Sequence, residues 1–405
     1  MTTRGLQASL AIWEAINSMG NQWRKLDQFI HNGKHDAMLD SLVGSLRAKN
    51  VFHPSNYFQD GFGDRNATMQ IGNEFFHTLS QPDYRPNPID SIQFGTKSKV
   101  GNKAYVQECS FSTSAKAISH ILPKECLQAR FLLVSPESCT KSHDNSPNPG
   151  SLGPTVILLA GTGEHSFGRR ASLAIPLAER AGISSIILES PYYGSRRPRH
   201  QPGAKLRTVS DLPTLGRCTI EETASLIRYF LIDNGFSTDI CTAGVSMGGL
   251  HAAMSASAFP QTSIGVVSWL GPPSAVAVFT EGLLSQYCEW LQLQRELLTK
   301  DATEGMKRFL HITDIDNFPK PCNPNRAILV LAENDLFVPF PHSQAKWNSM
   351  IQNKWNGAQV RVVPGGHVSA TLFGAESMRR CIEKVLRVVD HEDPLVYSSS
   401  SSSMA

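Results

Sequence analysis

The stretch Gly244-Val245-Ser246-Met247-Gly248-Gly249 lies between a short β-type run at residues 239–243 and small, helix-tolerant residues at 250–256. A strand, a G-x-S-x-G turn and a helix in this order are typical of a nucleophile elbow. The two outer glycines let the strand and helix backbones pass close together around a tight turn, whose geometry larger residues resist. The pattern predicts that Ser246 projects from the carboxyl edge of a sheet, beside the free N–H groups that begin a helix.

The rest of the chain alternates between strand and helix patterns. Strands are predicted at residues 104–111, 129–134, 155–160, 183–188, 239–243, 264–270, 327–332 and 359–363, and helices at 171–181, 219–233, 341–355 and 370–388. Such alternation predicts an α/β fold, a mostly parallel sheet with helices on both faces. A stretch with helical patterns at about 271–325 interrupts the alternation, as a small helical cap insertion does.

Three regions are expected along the chain. Residues 1–95 form an N-terminal extension, in which 10–30 carry apolar residues at helical spacing, while 51–95 are rich in Pro, Asn and Gly and are predicted to wrap the surface. Residues 96–395 form the main domain with its cap insertion. Residues 396–405 form a serine-rich tail that is predicted to be disordered.

Composition excludes several classes of protein. The 405 residues carry a formal net charge of +3, too little to favour nucleic acid, and no nucleic-acid motif is present. The eight cysteines stand singly without a C-x-x-C pair, which predicts neither a metal site nor a disulfide framework and favours a reducing compartment. Proline and glycine break the uncharged stretch at 252–280, so no transmembrane helix is expected.

The first residues suggest where the protein resides. No apolar signal-peptide core follows Met1, so an intracellular protein is expected, either soluble or peripherally bound to a membrane. Arg4, Arg24 and Lys25 give the first thirty residues a faint similarity to a mitochondrial presequence, which keeps that compartment open.

A serine hydroxyl becomes nucleophilic only when a base takes its proton, and that base needs an orienting carboxylate. In α/β-hydrolases the order along the chain is serine, acid, histidine. After Ser246, the strand at 327–332 ends in Glu333-Asn334-Asp335, and the strand at 359–363 leads through Pro364-Gly365-Gly366 to His367. We therefore predict Asp335 as the orienting acid, with Glu333 as the alternative, and His367 as the base.

An oxyanion hole needs two backbone donors. One is expected from Met247, and the other from the loop at 161–165, where Thr162 is the first choice and Gly161 the second. This loop also begins like a dinucleotide-binding fingerprint, but Ser166 occupies the third glycine position, so that interpretation fails. Neither a metal nor an organic cofactor is expected.

The loop that follows the strand at 183–188 is strongly basic. Residues 196–207 hold five basic side chains and no acid. The run fits either a solvated face or an anion site next to Ser246 that takes a group such as a phospholipid headgroup. On the second interpretation Arg196, Arg197, Tyr192 and Tyr193 are candidate substrate contacts.

Four stretches together carry a family resemblance. They are residues 159–165 (LAGTGEH), 188–198 (LESPYYGSRRP), 244–249 (GVSMGG) and 365–370 (GGHVSA). They resemble the alpha/beta hydrolase domain-containing protein 18 family, and the Pro-Tyr-Tyr-Gly loop separates that family from generic lipases and esterases. The resemblance runs from about residue 100 to 390 and implies an α/β-hydrolase fold with a serine-hydrolase site. Ser246, Asp335 and His367 each sit in the matching motif.

The predicted function is hydrolysis of an ester, in particular a lipid or phospholipid acyl ester, through a Ser-His-Asp triad and an acyl-enzyme. Two alternatives stay open at this point. A non-catalytic relative would bind a lipid or a protein partner with the same fold, and an acyltransferase would use the same triad to move the acyl group to another alcohol.

Overall fold

The computed structural model describes residues 40–41, 56–140 and 150–386. The predicted helices at 10–30, the serine-rich tail at 396–405 and residues 141–149 lie outside these described residues.

Within the described residues, nine strands form a single sheet. They are β1 (Gln93–Val100), β2 (Ala104–Ser112), β3 (Gln128–Pro136), β4 (Gly153–Leu159), β5 (Ser184–Leu188), β6 (Ser237–Val245), β7 (Gly265–Trp269), β8 (Ala327–Ala332) and β9 (Gln359–Val363). Their order is β1-β2-β3-β5-β4-β6-β7-β8-β9. The pairs β1–β2, β2–β3 and β3–β5 are antiparallel. The remaining pairs, from β5–β4 to β8–β9, are parallel. The strand that leads to Ser246, β6, therefore lies inside the parallel part of the sheet.

The α-helices of the described residues follow the strands in the expected rhythm. They are α1 (Arg65–Leu79), α2 (Gly168–Pro176), α3 (Asp211–Ile227), α4 (Met247–Ser257), α5 (Ala275–Thr280), α6 (Trp290–Leu297), α7 (Thr303–Leu310), α8 (Phe340–Asn353), α9 (His367–Phe373) and α10 (Ala375–Val385). Helices α5, α6 and α7 lie in the insertion between β7 and β8. None of these helices is long and apolar enough to cross a membrane.

Each face of the sheet carries its own apolar core. Along β4, Val156 and Leu158 pack in one core with α2 and α10, while Ile157 and Leu159 pack in the other with α3 and α4. Successive side chains of a strand point to opposite faces, so a parallel strand covered on both sides is apolar throughout. The predicted fold class, a mostly parallel sheet with helices on both faces, is confirmed.

Two helix boundaries differ from the sequence prediction. Helix α3 begins at Asp211 rather than at 219, since Pro213 lies in its first turn, where a missing N–H costs no hydrogen bond. The helix predicted at 370–388 is two helices that meet at Gly374. A Cβ at Gly374 would lie 2.2 Å from the carbonyl oxygen of Ala370, so the close approach at this junction requires glycine.

The segment before β1 is not the surface wrapping that its composition suggested. The Asp64 carboxylate caps α1 by accepting the N–H of Ala67 at 2.9 Å. Phe75 and Leu79 of this helix then join the apolar core. Helix α1 is fixed to α3 by Arg217, which donates to the carbonyl oxygen of Ile71 at 2.7 Å and lies over the Phe75 ring. Helix α1 of the N-terminal extension is thus packed into the fold.

Candidate active site

The turn at Ser246 has the geometry that its sequence predicts. Ser246 has φ 57° and ψ −123° between β6 and α4, a conformation that costs a non-glycine residue about 1–3 kcal/mol. A Cβ at Gly244 would lie 2.4 Å from the backbone of Gly248, and a Cβ at Gly248 would lie 2.5 Å from the carbonyl oxygen of Leu159. Both positions therefore accept only glycine, and the sharp turn leaves Ser246 half-buried at the carboxyl edge of the sheet.

The acid and the base predicted from the sequence meet beyond β8 and β9. Nδ1 of His367 lies 2.7 Å from Oδ2 of Asp335. The other carboxylate oxygen, Oδ1, accepts the N–H groups of Phe337 at 2.9 Å and Val338 at 2.7 Å. The Asp335 side chain is buried and held by these bonds, whereas Glu333, the alternative acid, is exposed. With Asp335 ionised, Nδ1 of His367 carries the proton and Nε2 is the nitrogen that can accept one.

Ser246 and His367 line the same cavity, whose volume is about 930 Å³. That volume lies near the upper end of the range of small-molecule sites, about 300–1,000 Å³. Part of its lining, here called the apolar wall, comes from α1, from α4 and from the segment before β8. The residues of the apolar wall are Ile71, Phe75, Phe76, Leu250, Met254 and Phe318. The arrangement places an apolar chamber beside a serine and a histidine.

The loop after β4 is held by the interactions of Glu164. Glu164 accepts Nε of Arg170 at 2.8 Å and the N–H of Gly161 at 3.3 Å, and it also pairs with Arg169. Burial raises the pKa of Glu164, but the two guanidinium groups outweigh burial and hold that pKa below its usual value. Since Glu164 takes the Gly161 donor, Thr162 is the better candidate from this loop, and it lines the cavity together with Met247.

The two arginines of the basic loop have different environments. Arg196 is fully buried and donates to Glu222 at 2.6 and 2.8 Å, to the carbonyl oxygen of Glu189 at 2.8 Å and to that of Cys126 at 2.7 Å. The prediction that Arg196 contacts an anionic substrate is therefore wrong, because its guanidinium faces the protein core. Arg197 is exposed and lines the cavity.

Tyr192 and Tyr193 are buried in an apolar core and do not line the cavity. The prediction that they contact the substrate is therefore wrong. Tyr192 has φ 64°, and its N–H donates to Sγ of Cys126 at 3.3 Å. The ring of Tyr193 packs edge-on against His165, with 5.6 Å between the ring centroids. His165 itself lines the cavity. Tyr193 therefore contacts a residue of the cavity lining, His165, and does not itself line the cavity.

His251 was not predicted from the sequence. This residue lies on α4, shortly after Ser246, and lines the cavity while only 5% of it is exposed. Its Nδ1 is buried and has no hydrogen-bond partner among the described residues. Burial lowers the pKa of His251 to about 4, so its imidazole is neutral near pH 7. Helical small-residue patterns do not distinguish such an inward-facing histidine from a surface one.

Among the described residues, no group of three or more His, Cys, Asp or Glu side chains could hold a metal ion.

A comparison with protein families identifies the chain. The model of the family described as "Alpha/beta hydrolase domain containing 18" matches residues 55–306 and 297–388. The match covers most of the chain, including both halves of the site, and it confirms the resemblance found in the sequence.

Comparison with solved structures finds esterases. Acetyl xylan esterase 1 from Thermoanaerobacterium sp. is 15% identical, with a TM-score of 0.48, over 78% of this chain and 93% of that one. An acetyl xylan esterase from Paenibacillus sp. R4 is 14% identical, with a TM-score of 0.49, over 79% of this chain and 92% of that one. An esterase from Pyrobaculum calidifontis is 14% identical, with a TM-score of 0.39, over 80% and 92%.

Proposed function

This chain belongs to the alpha/beta hydrolase domain containing 18 family, and we infer that it is a serine esterase that cleaves a lipid acyl ester. The observation that carries this proposal is the joint placement of three side chains. Ser246 stands on a strained turn in the same cavity as His367, and His367 is hydrogen-bonded to the buried Asp335 at 2.7 Å.

The proposed reaction proceeds in two steps. Oγ of Ser246 attacks the ester carbonyl while Nε2 of His367 takes the hydroxyl proton, and Asp335 stabilises the resulting imidazolium. The N–H groups of Met247 and Thr162 stabilise the oxyanion. His367 then gives the proton to the departing alcohol, which leaves an acyl-serine. In the second step His367 activates water, which attacks the acyl-serine and releases the acid.

The lining of the cavity supports a lipid substrate. Its apolar wall is aromatic and aliphatic, and its volume of about 930 Å³ accommodates a long acyl chain. Arg197 is exposed and reaches the same cavity, which supports a phosphate group in the part of the substrate that faces the solvent. We therefore propose a phospholipid acyl ester as the preferred class of substrate.

The first experiment tests the nucleophile. Purified protein is labelled with a fluorophosphonate probe and assayed with p-nitrophenyl butyrate, wild type beside Ser246→Ala. Labelling and turnover that are both lost only in the variant are expected for a serine esterase. Well-folded wild type that neither labels nor turns over would overturn the proposal and favour a non-catalytic binding protein. Labelling with transfer of the acyl group to an added alcohol, in place of hydrolysis, would show an acyltransferase.

The second experiment tests the headgroup. In mixed micelles, Arg197→Ala is expected to raise KM for phosphatidylglycerol by on the order of tenfold, the worth of about one charge-assisted hydrogen bond, and to spare diacylglycerol. Arg199→Ala is the matched control, since Arg199 is exposed on the same loop and lies outside the cavity lining. Equal effects of Arg197→Ala on both lipids would remove the phosphate from the proposal.

A further inference from the structure

A carboxylate from the N-terminal region lies beneath the two loops that carry Asp335 and His367. Oδ2 of Asp40 accepts the N–H of His367 at 2.8 Å and the N–H of Leu336 at 3.2 Å. Oδ1 accepts the N–H of Val368 at 2.7 Å. One side chain therefore binds the backbone of His367 itself and of the residue that follows Asp335.

The site around Asp40 is closely fitted. The Asp40 side chain has no solvent exposure. A Cβ at Gly366 would lie 2.7 Å from Oδ2 and 2.9 Å from Oδ1 of Asp40, so glycine at this position makes room for the carboxylate. The N–H groups of His367 and Val368 open α9 and have no partner within that helix. Asp40 supplies the acceptor that these buried donors need.

The bonds to Asp40 extend an existing connection between the two loops. The N–H of Glu333 donates to Val363 at 3.1 Å, and the N–H of Asn334 donates to Gly365 at 3.0 Å. These bonds fix the loops just after β8 and β9. Asp40 connects the same loops a second time, at Leu336 and at His367.

We propose that Asp40 is a positioning residue, whose carboxylate clamps the Asp335 loop to the His367 loop and so sets the hydrogen bond between those two side chains. The proposal rests on the function proposed for Ser246, Asp335 and His367. Asp40 does not belong to the cavity lining, so it acts through the backbone and not on the substrate.

The charge of Asp40 also favours the proton transfer to His367. Burial raises the pKa of Asp40, while the three backbone N–H groups and the charge of His367 oppose that rise. The interaction between two charges is mutual, so an ionised Asp40 stabilises the imidazolium that forms when His367 takes the serine proton. Asp335 remains the carboxylate that touches the ring.

The test compares Asp40→Ala and Asp40→Asn with wild type. An amide oxygen at the position of Oδ2 can still accept the N–H groups of His367 and Leu336, but the amide NH2 at the position of Oδ1 cannot accept the N–H of Val368. The Asn variant therefore weakens the connection between the loops and also loses the charge. Asp64→Ala is the matched control, because Asp64 also binds a helix-opening N–H, that of Ala67, but at α1.

Two measurements are made on each variant. The first is the downfield proton NMR resonance of the His367 Nδ1–H, assigned by its loss in Asp335→Asn, which does not depend on turnover. The second is kcat and KM for p-nitrophenyl butyrate, with active sites counted by fluorophosphonate. We expect Asp40→Ala to shift or lose the resonance and to lower kcat up to about 100-fold at a KM within twofold. The resonance and kcat of Asp40→Asn should lie between those of wild type and Asp40→Ala, and both values of Asp64→Ala should match wild type.

The outcomes separate a positioning role from a structural one. Folded Asp40→Ala that keeps the wild-type resonance and a kcat within twofold per titrated site would overturn the proposal. If Asp40→Ala does not fold, Asp40→Asn decides, and a wild-type resonance and kcat in that variant would overturn it equally. If the wild-type protein shows no turnover, the proposed esterase function is refuted. If the His367 resonance still changes in the Asp40 variants, the positioning role of Asp40 stands without it.

Discussion

A buried histidine beside the nucleophile makes the stability of the protein depend on pH. His251 is almost fully buried on α4 and its Nδ1 has no partner in the described chain. Burial lowers its pKa to about 4, whereas an unfolded chain protonates histidine near pH 6.5. The unfolded state therefore binds more protons than the folded state between these values. It follows that the free energy of unfolding falls as the pH drops from 6.5 towards 4.

The size of the effect follows from the two pKa values. Each pKa unit of difference corresponds to about 1.4 kcal/mol, so the full contribution of His251 is about 3 kcal/mol below pH 4. Between pH 7 and pH 5 the expected loss is about 2 kcal/mol, because protonation of the unfolded chain is then well advanced. In His251→Phe the ring has a similar shape and does not titrate, so this loss should disappear.

The assay is urea unfolding of wild type and His251→Phe at several pH values from 7 to 5. At pH 7 the two proteins should agree within about 1 kcal/mol, since the replacement removes a polar nitrogen that had no partner. At pH 5 the variant should be more stable by about 2 kcal/mol relative to that baseline. His120→Phe is the control, because His120 is exposed. If the wild-type and His251→Phe curves run parallel over this range, the assignment of a neutral buried imidazole is wrong.

Three further changes test other parts of the structure. Arg196→Met should lower the free energy of unfolding by about 3–5 kcal/mol because it leaves Glu222 buried without its cation, and adding Glu222→Met should recover most of that loss in the same urea assay; additive losses would contradict the pairing. Gly248→Ala should cost at least about 1–3 kcal/mol and abolish fluorophosphonate labelling, since its Cβ would lie 2.5 Å from the carbonyl oxygen of Leu159; normal labelling would contradict the elbow geometry. Ile71→Trp should reduce the cavity volume and slow hydrolysis of p-nitrophenyl palmitate while sparing the acetate ester. If the substitution changes both rates by the same factor, the acyl chain binds elsewhere.

The parts of the fold that sequence could predict are those fixed by local geometry. Parallel strands end at one edge of the sheet, so the residues just beyond β6, β8 and β9 had to lie near one another. Ser246, Asp335 and His367 were predicted in this way, and the structure brings Asp335 and His367 into contact. The preference for Thr162 over Gly161 stays a prediction, and the bond from the Gly161 N–H to Glu164 is compatible with it.

The parts that sequence missed depend on partners far away in the chain. A run of basic residues does not reveal that Arg196 turns inward, because its partner Glu222 lies on a different element, α3. Asp40 contacts residues 296 to 328 positions away, and no local pattern marks such a bond. Helix α1 escaped notice because its first two turns are mostly polar and its buried side chains, such as Phe75 and Leu79, come late.

Segments that lie far apart in the chain contribute to the cavity wall. Helix α1 supplies Ile71, Phe75 and Phe76 from the N-terminal side of the sheet, while Val278 and Phe279 come from α5 in the insertion between β7 and β8. Exchanging the insertion alone between two relatives would combine the α5 side chains of one protein with the α1 side chains of the other. A chimaera built to keep its substrate preference should therefore carry α1 and the insertion together.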